Sequence, residues 1–194
     1  MTGVQTYALP IFLVDGQDIT TFCKRTYRNH IGIVLQEPLL FDGTIASNIR
    51  FGRDDVTDEE ILEVLRELGA ESFIEKLEGG IYHEVYQDGQ NLSHGEIQLI
   101  AIARSIVHQS AILIMDEPTE YLDSETEEMV HHAIKVVSEG RTAIIIEHNL
   151  LAVRDVDRIL FLHDGRIVEE GTHEELLKLN GLYAEMYRTQ ISLL

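Results

Sequence analysis

The chain has 194 residues, of which 44% are hydrophobic and 25% are charged, and its formal net charge is −19. This composition is that of a globular domain with enough apolar material for a core. The negative charge argues against a nucleic-acid-binding role, because phosphate backbones need a basic surface. Cys23 is the only cysteine, which excludes an internal disulfide. No apolar run reaches the roughly 18 residues of a membrane-spanning helix.

Alternating strands and helices are predicted along most of the chain. Runs rich in branched residues predict buried parallel strands at 31–35, 111–115 and 142–146. Thr57 followed by Glu60 is a capping-box pattern and starts an apolar helical stripe. Further helices are predicted near 93–106 and 125–137. This order favours right-handed crossovers and an α/β fold with a parallel sheet.

The carboxyl-terminal part is predicted to be a hairpin followed by helix. A short helix is expected near 150–154, and strands at 158–162 and 166–169 flank the turn Asp164-Gly165. Residues 172–190 have amphipathic helical character, with a break at Asn180-Gly181.

Asp116 and Glu117 form the first candidate site, because they directly follow a predicted buried strand. In α/β proteins ligands bind at the carboxyl ends of the strands. One carboxylate there can hold Mg²⁺ through water, while its neighbour polarises a water that attacks phosphorus. The alternative is a solvated turn.

Ser93, Gly95 and Glu96 precede a long apolar helix, where exposed N–H groups and the helix dipole attract an anion. The alternative is a plain helix cap at Ser93. Gln36 and His148 each follow a predicted strand. A histidine there can hydrogen-bond a γ-phosphate. The alternative for His148 is a structural or surface role, which is more common for a lone histidine, and Gln36 has the same two interpretations.

The order of these residues resembles the ATP-binding domain of ABC transporters over nearly all of 12–190. The elements that carry the resemblance are Gln36, Leu92-Ser93-His94-Gly95-Glu96, Asp116-Glu117, Leu122-Asp123 and His148. The resemblance implies a P-loop NTPase (RecA-like) α/β core with an α-helical subdomain at about 43–107. It also implies ATP and Mg²⁺ as cofactors, with roles that follow the family motifs. Gln36 and Asp116 would bind the metal, while Glu117 and His148, with Gln36, would act in catalysis. Ser93, Gly95, Glu96 and Asp123 would contact ATP held by a second ATP-binding domain.

The segment around Gln36-Glu37-Pro38 is similar to the one that receives the membrane domains in exporters of this family. The resemblance therefore implies transmembrane domains and a second ATP-binding domain as partners. It also implies a location at the cytoplasmic face of the membrane and a role in export driven by ATP hydrolysis.

A phosphate loop is missing from these 194 residues. The loop needs Gly-Lys followed by Ser or Thr, and none of the lysines, Lys24, Lys76, Lys135 and Lys178, follows a glycine. The amino-terminal strands and this loop are thus expected to be missing from residues 12–194, and residues 1–11 to be an artefactual or unaligned leader. The fragment itself is expected to be inactive. Two alternatives are a non-catalytic partner that donates only residues 92–96, and a soluble ABC-type ATPase.

Overall fold

The computed structural model describes residues 13–122 and 124–192. Its strands are β1 (Leu13–Val14), β2 (Gln17–Asp18), β3 (Ile31–Val34), β4 (Gly43–Thr44), β5 (Glu84–Val85), β6 (Ile112–Asp116), β7 (Thr142–Ile146), β8 (Ile159–His163) and β9 (Arg166–Gly171). Its helices are α1 (Lys24–Arg28), α2 (Ile45–Arg50), α3 (Asp58–Glu67), α4 (Glu71–Lys76), α5 (His94–Val107), α6 (Ser124–Ser138), α7 (His173–Leu179) and α8 (Leu182–Ile191). Within the described ranges, no helix is both long and apolar enough to cross a membrane.

A parallel sheet of β3, β6 and β7, with β6 in the middle, confirms the predicted α/β fold. Val34 lies opposite Met115, which in turn lies opposite Ile145. Leu113 and Met115 are fully buried in one apolar cluster with Leu99 of α5. Buried and half-buried residues alternate along β6, so packing under the helices accounts for one face of its apolar run.

Residues 43–107 contain α2 to α5 and the short antiparallel pair of β4 and β5. The Thr57 hydroxyl accepts the Glu60 N–H, and the Glu60 carboxylate accepts the Thr57 N–H, which confirms the predicted capping box. This region packs into the same cluster as the sheet. The boundaries of a separate helical subdomain stay a prediction.

The predicted hairpin and broken helix at the carboxyl end are confirmed. Asp164 and Gly165 have φ angles of 48° and 72°, as a tight turn between β8 and β9 requires. Asn180, with φ 56°, ends α7 before α8 begins.

The expected helix near 150–154 is wrong, since residues 150–155 form turns. The Asn149 side chain accepts the Leu151 N–H at 3.1 Å, a local bond that competes with helical hydrogen bonding. Leu150 and Val153 are buried in a second apolar cluster together with Tyr183 and Tyr187 of α8. Local capping and tertiary packing therefore override the helical pattern.

Candidate active site

Three of the candidate groups meet at the carboxyl edge of the sheet. Gln36 follows β3, Asp116 ends β6 with Glu117 next, and His148 follows β7. Asp116 lies opposite Ile146 in the register of the neighbouring strand. Because all three strands are parallel, their polar ends lie side by side.

Glu117 and His148 are in contact. The Glu117 Oε1 and His148 Nδ1 atoms are 3.4 Å apart, and the two side chains are 29% and 58% exposed. The Glu117 N–H donates to the Ile146 carbonyl oxygen at 2.9 Å, which fixes the residue to the neighbouring strand. Its φ of 44° is rare for a residue with a side chain, and such conformations concentrate at functional sites. The carboxylate is therefore held at the solvent-accessible edge beside the imidazole.

Glu120 is a member of this group that the sequence analysis did not assign. Its carboxylate accepts a hydrogen bond from Gln36 Nε2, across 84 residues of sequence. A hydrogen bond with Glu120, together with desolvation and repulsion between the charges, raises the pKa of Glu117. Desolvation opposes ionisation of Glu120, but hydrogen bonds with Tyr121, Glu117 and Gln36 outweigh it and lower the pKa of Glu120. Ionisation of one of these two carboxyl groups thus affects the pKa of the other.

Gln36 is also fixed through its backbone by α5. The Nε2 atom of the buried Gln98 donates to the Gln36 carbonyl oxygen at 3.0 Å and to the Leu35 carbonyl oxygen at 3.3 Å. No local pattern predicts this contact, because Gln98 lies within a helical pattern 62 residues from Gln36. The loop after β3 is therefore held by α5.

Residues 93–96 form a helix start with a reciprocal cap. The Ser93 hydroxyl accepts the Glu96 N–H at 3.3 Å, and Glu96 Oε2 accepts the Ser93 N–H at 2.7 Å. A Cβ atom on Gly95 would lie 2.4 Å from the Cβ of Thr126, so only glycine fits against α6. The Glu96 carboxylate is thus engaged within its own helix in this structure.

The ring of His94 lies 6.4 Å from that of Tyr121, which places the start of α5 beside the segment that carries Glu120. Asp123, the remaining predicted nucleotide contact, lies outside the described residues. In the part of the chain that the structure describes, no three histidine, cysteine, aspartate or glutamate side chains converge as a metal site. Asp116 and Gln36 offer a carboxylate and an amide oxygen, the kind of donor that Mg²⁺ uses sparingly while it keeps water and phosphate ligands.

The chain is similar to ATP-binding domains of ABC transporters. A family model described as "ABC transporter" matches residues 5–120. A "Probable multidrug resistance ABC transporter ATP-binding/permease protein" of Bacillus subtilis is 47% identical over 178 residues, covering 92% of this chain and 26% of the relative. The human "ATP-binding cassette sub-family B member 5" is 44% identical over 178 residues, covering 92% of this chain and 14% of that protein.

Among solved structures, that of a bacterial Atm1-family ABC exporter with ATP bound superimposes with a TM-score of 0.83 at 41% identity. The match covers 92% of this chain and 31% of the exporter chain. The chain therefore spans less than a third of the length of each of these proteins.

Proposed function

The chain belongs to the ABC transporter family, whose ATP-binding domains are ATPases, and on that premise we propose that it forms the hydrolytic part of an exporter's ATP site. In this proposal, ATP hydrolysis at the carboxyl edge of the sheet drives movement of a substrate across a membrane. The observation that carries it is the convergence of Gln36, Asp116, Glu117 and His148 at one edge, with Glu117 and His148 in contact.

Glu117 is the group that activates water. Its carboxylate is fixed beside β7 and accessible to solvent, so it can accept a proton from a water aligned with the γ-phosphate. His148 turns Nδ1 toward Glu117, which leaves Nε2 to donate to a phosphate oxygen.

Asp116 and Gln36 would hold the metal. Mg²⁺, when bound together with ATP, supplies charge neutralisation on the phosphates. Asp116 provides a carboxylate at the end of β6, and Gln36 provides an amide from the loop after β3. The bond from Gln36 to Glu120 sets the orientation of that amide, so Glu120 influences how Gln36 meets a ligand.

A second ATP-binding domain would complete the function. In this arrangement Ser93, Gly95, Glu96 and Asp123 face ATP held by the partner, and each partner does the same in return. The reciprocal cap holds the Glu96 carboxylate against the Ser93 N–H, so a phosphate placed at Ser93 would be repelled by this charge unless the cap opens.

Membrane domains would dock on an apolar surface formed by Leu39, Phe41 and Phe51, which lies near Gln36 in the chain and is exposed. The Phe41 and Phe51 rings stack at 4.7 Å, and the Arg104 guanidinium lies 5.1 Å from the centre of the Phe51 ring. The buried Asn48 bonds both the N–H and the carbonyl oxygen of Phe41 at 2.8 Å. A rigid, exposed apolar surface of this kind suits a protein partner, and it would lie at the cytoplasmic face of the membrane.

A second candidate function is favoured by the absence of a Gly-Lys pair from the 194 residues. In that case the chain donates residues 92–96 to ATP bound by another subunit and does not hydrolyse ATP itself. The two functions differ in whether Glu117 is required for ATP hydrolysis at this chain's own site once a phosphate loop is supplied.

The test uses a hybrid exporter, in which residues 13–192 replace the aligned segment of the Bacillus subtilis relative. After incubation with labelled Mg·ATP and rapid desalting, Glu117→Gln should retain ATP, while the unsubstituted hybrid retains little nucleotide or only ADP. Glu139→Gln, a change at an exposed position after α6, serves as the matched control and should behave like the unsubstituted hybrid. Conversion of bound ATP to ADP by Glu117→Gln at the unsubstituted rate would overturn the proposal.

A further inference from the structure

The carboxyl-terminal helix reaches back to the loop that carries His148. Gln190 of α8 uses both ends of its amide there: Nε2 donates to the His148 carbonyl oxygen at 2.7 Å, and Oε1 accepts the Leu150 N–H at 2.8 Å. One side chain therefore holds the backbone on both sides of Asn149, across about 40 residues of sequence.

Only an amide makes both bonds. A carboxylate at position 190 would accept from Leu150 but would repel the His148 carbonyl oxygen, and an aliphatic residue would make neither bond. Leu150 is buried, so its N–H would be left without a partner in an apolar surrounding, which is costly. The two contacts are thus specific to glutamine at this point of α8.

The loop needs this support because residues 147–158 contain neither helix nor strand. On one side it continues from β7, and on the other Leu150 packs against Tyr183 and Tyr187 of α8. The His148 side chain itself is more than half exposed, and its ring contacts the Glu117 carboxylate. Its position therefore depends on the backbone that Gln190 holds.

α8 is in turn fixed to the hairpin and to α7. The Glu169 carboxylate of β9 accepts the N–H groups of Leu182 and Tyr183 at 2.6 and 3.1 Å, which caps the helix. The Tyr183 hydroxyl lies 2.7 Å from Nδ1 of His173 at the start of α7. A continuous set of contacts thus joins the hairpin, α8, the His148 loop and Glu117.

We infer that Gln190 is a positioning residue for His148, and that the carboxyl-terminal helix controls the distance between His148 and Glu117. The expected effect of Gln190 on ATP hydrolysis rests on the proposed function. The contact itself is independent of ATP, so the two are tested by different readouts.

The first readout is taken on the full 194-residue chain by NMR. Gln190→Leu should speed hydrogen exchange of the Leu150 amide about tenfold, the effect of losing one hydrogen bond. It should also shift the His148 ring resonances. Gln190→Glu should shift the same ring resonances. Thr189→Ala is the matched control, because among the described residues that hydroxyl bonds only to the carbonyl of Glu185 in its own helix.

The second readout is ATP turnover of the hybrid exporter. Gln190→Leu should lower kcat about tenfold with little change in KM for ATP, because only the positioning of a catalytic side chain is lost. In a His148→Ala background the same substitution should have no further effect on kcat. A merely structural role would lower kcat equally in both backgrounds.

Unchanged exchange at Leu150 and unchanged His148 resonances in Gln190→Leu would overturn the inference. So would an equal loss of kcat with and without His148. If the hybrid has no ATPase activity while the NMR changes occur, the proposed function fails and the contact between Gln190 and the His148 loop stands.

Discussion

Glu120 brings a second carboxyl group to the catalytic edge. Position 120 was assigned no role from the sequence. In the structure its carboxylate accepts the Gln36 amide and hydrogen-bonds with Glu117. It therefore restrains two of the residues proposed to act on ATP.

Replacing Glu120 by serine should release both residues. We expect Glu120→Ser to raise kcat of the hybrid exporter about threefold to tenfold, because a negative charge near the phosphates and a competing partner for Gln36 are removed. Glu120→Gln keeps an acceptor for Gln36 and should raise kcat less. Steady-state phosphate release measures both variants, and a fall in kcat for Glu120→Ser would mean that Glu120 takes part in the reaction.

At the residue scale, the positions of the strand ends were predictable from the sequence, but the long-range side-chain contacts were not. The strand ends that carry Asp116, Glu117 and His148 were predictable, because apolar runs followed by polar residues predict parallel strands and their shared edge. The partners Glu120, Gln98 and Gln190 were not. Each bonds a residue more than 40 positions away, and no local pattern reports such a contact.

At the scale of elements, four of the described helices, α2, α3, α5 and α7, begin with a reciprocal cap, and α3 and α5 make a matched pair. α3 is capped by Thr57 and Glu60, and α5 by Ser93 and Glu96. Both are exposed helix starts with similar geometry, but only the second is proposed to face ATP.

The pair gives a matched test of whether Ser93 does more than cap. Thr57→Ala and Ser93→Ala should each lower the free energy of unfolding by about 1 kcal/mol in urea titrations. In the hybrid exporter, Thr57→Ala should leave ATP turnover unchanged, whereas Ser93→Ala should lower it about tenfold or more. Equal turnover of the two variants would restrict Ser93 to its capping role.

Element types were predicted best where local chemistry decides them. Asp164-Gly165 specifies a hairpin turn, Asn180-Gly181 a helix end, and Thr57 a helix start. The predicted helix near 150–154 failed because burial of Leu150 and Val153, together with the Asn149 turn, decides that segment. Tertiary packing there outweighs a helical pattern that is only about one turn long.

At the scale of the whole molecule, the sheet has two different faces. Val34, Leu113 and Met115 are buried under the helices, whereas the opposite face presents Ile33, Leu35, Ile144 and Ile146, which are 46–59% exposed. The register aligns Ile33, Ile114 and Ile144 in one row across the three strands. These residues form a contiguous exposed apolar surface, of the kind that drives association.

The purified 194-residue chain should therefore self-associate. Its sedimentation coefficient should rise with protein concentration, because burying this face removes apolar surface from water. Ile33→Lys combined with Ile144→Lys should reduce the rise, while a lysine at exposed Leu179 of α7 should not. A chain that sediments as a monomer at all concentrations would contradict self-association through this face of the sheet.

The central claim is that these residues carry the hydrolytic side of an ATP site and need a phosphate loop from elsewhere. The most direct measurement is phosphate release from Mg·ATP by the 194-residue chain and by the hybrid exporter in parallel. We predict no turnover by the chain alone, and turnover by the hybrid that falls at least a hundredfold in Glu117→Gln. Turnover by the chain alone, or a hybrid in which Glu117→Gln keeps the unsubstituted rate, would contradict it.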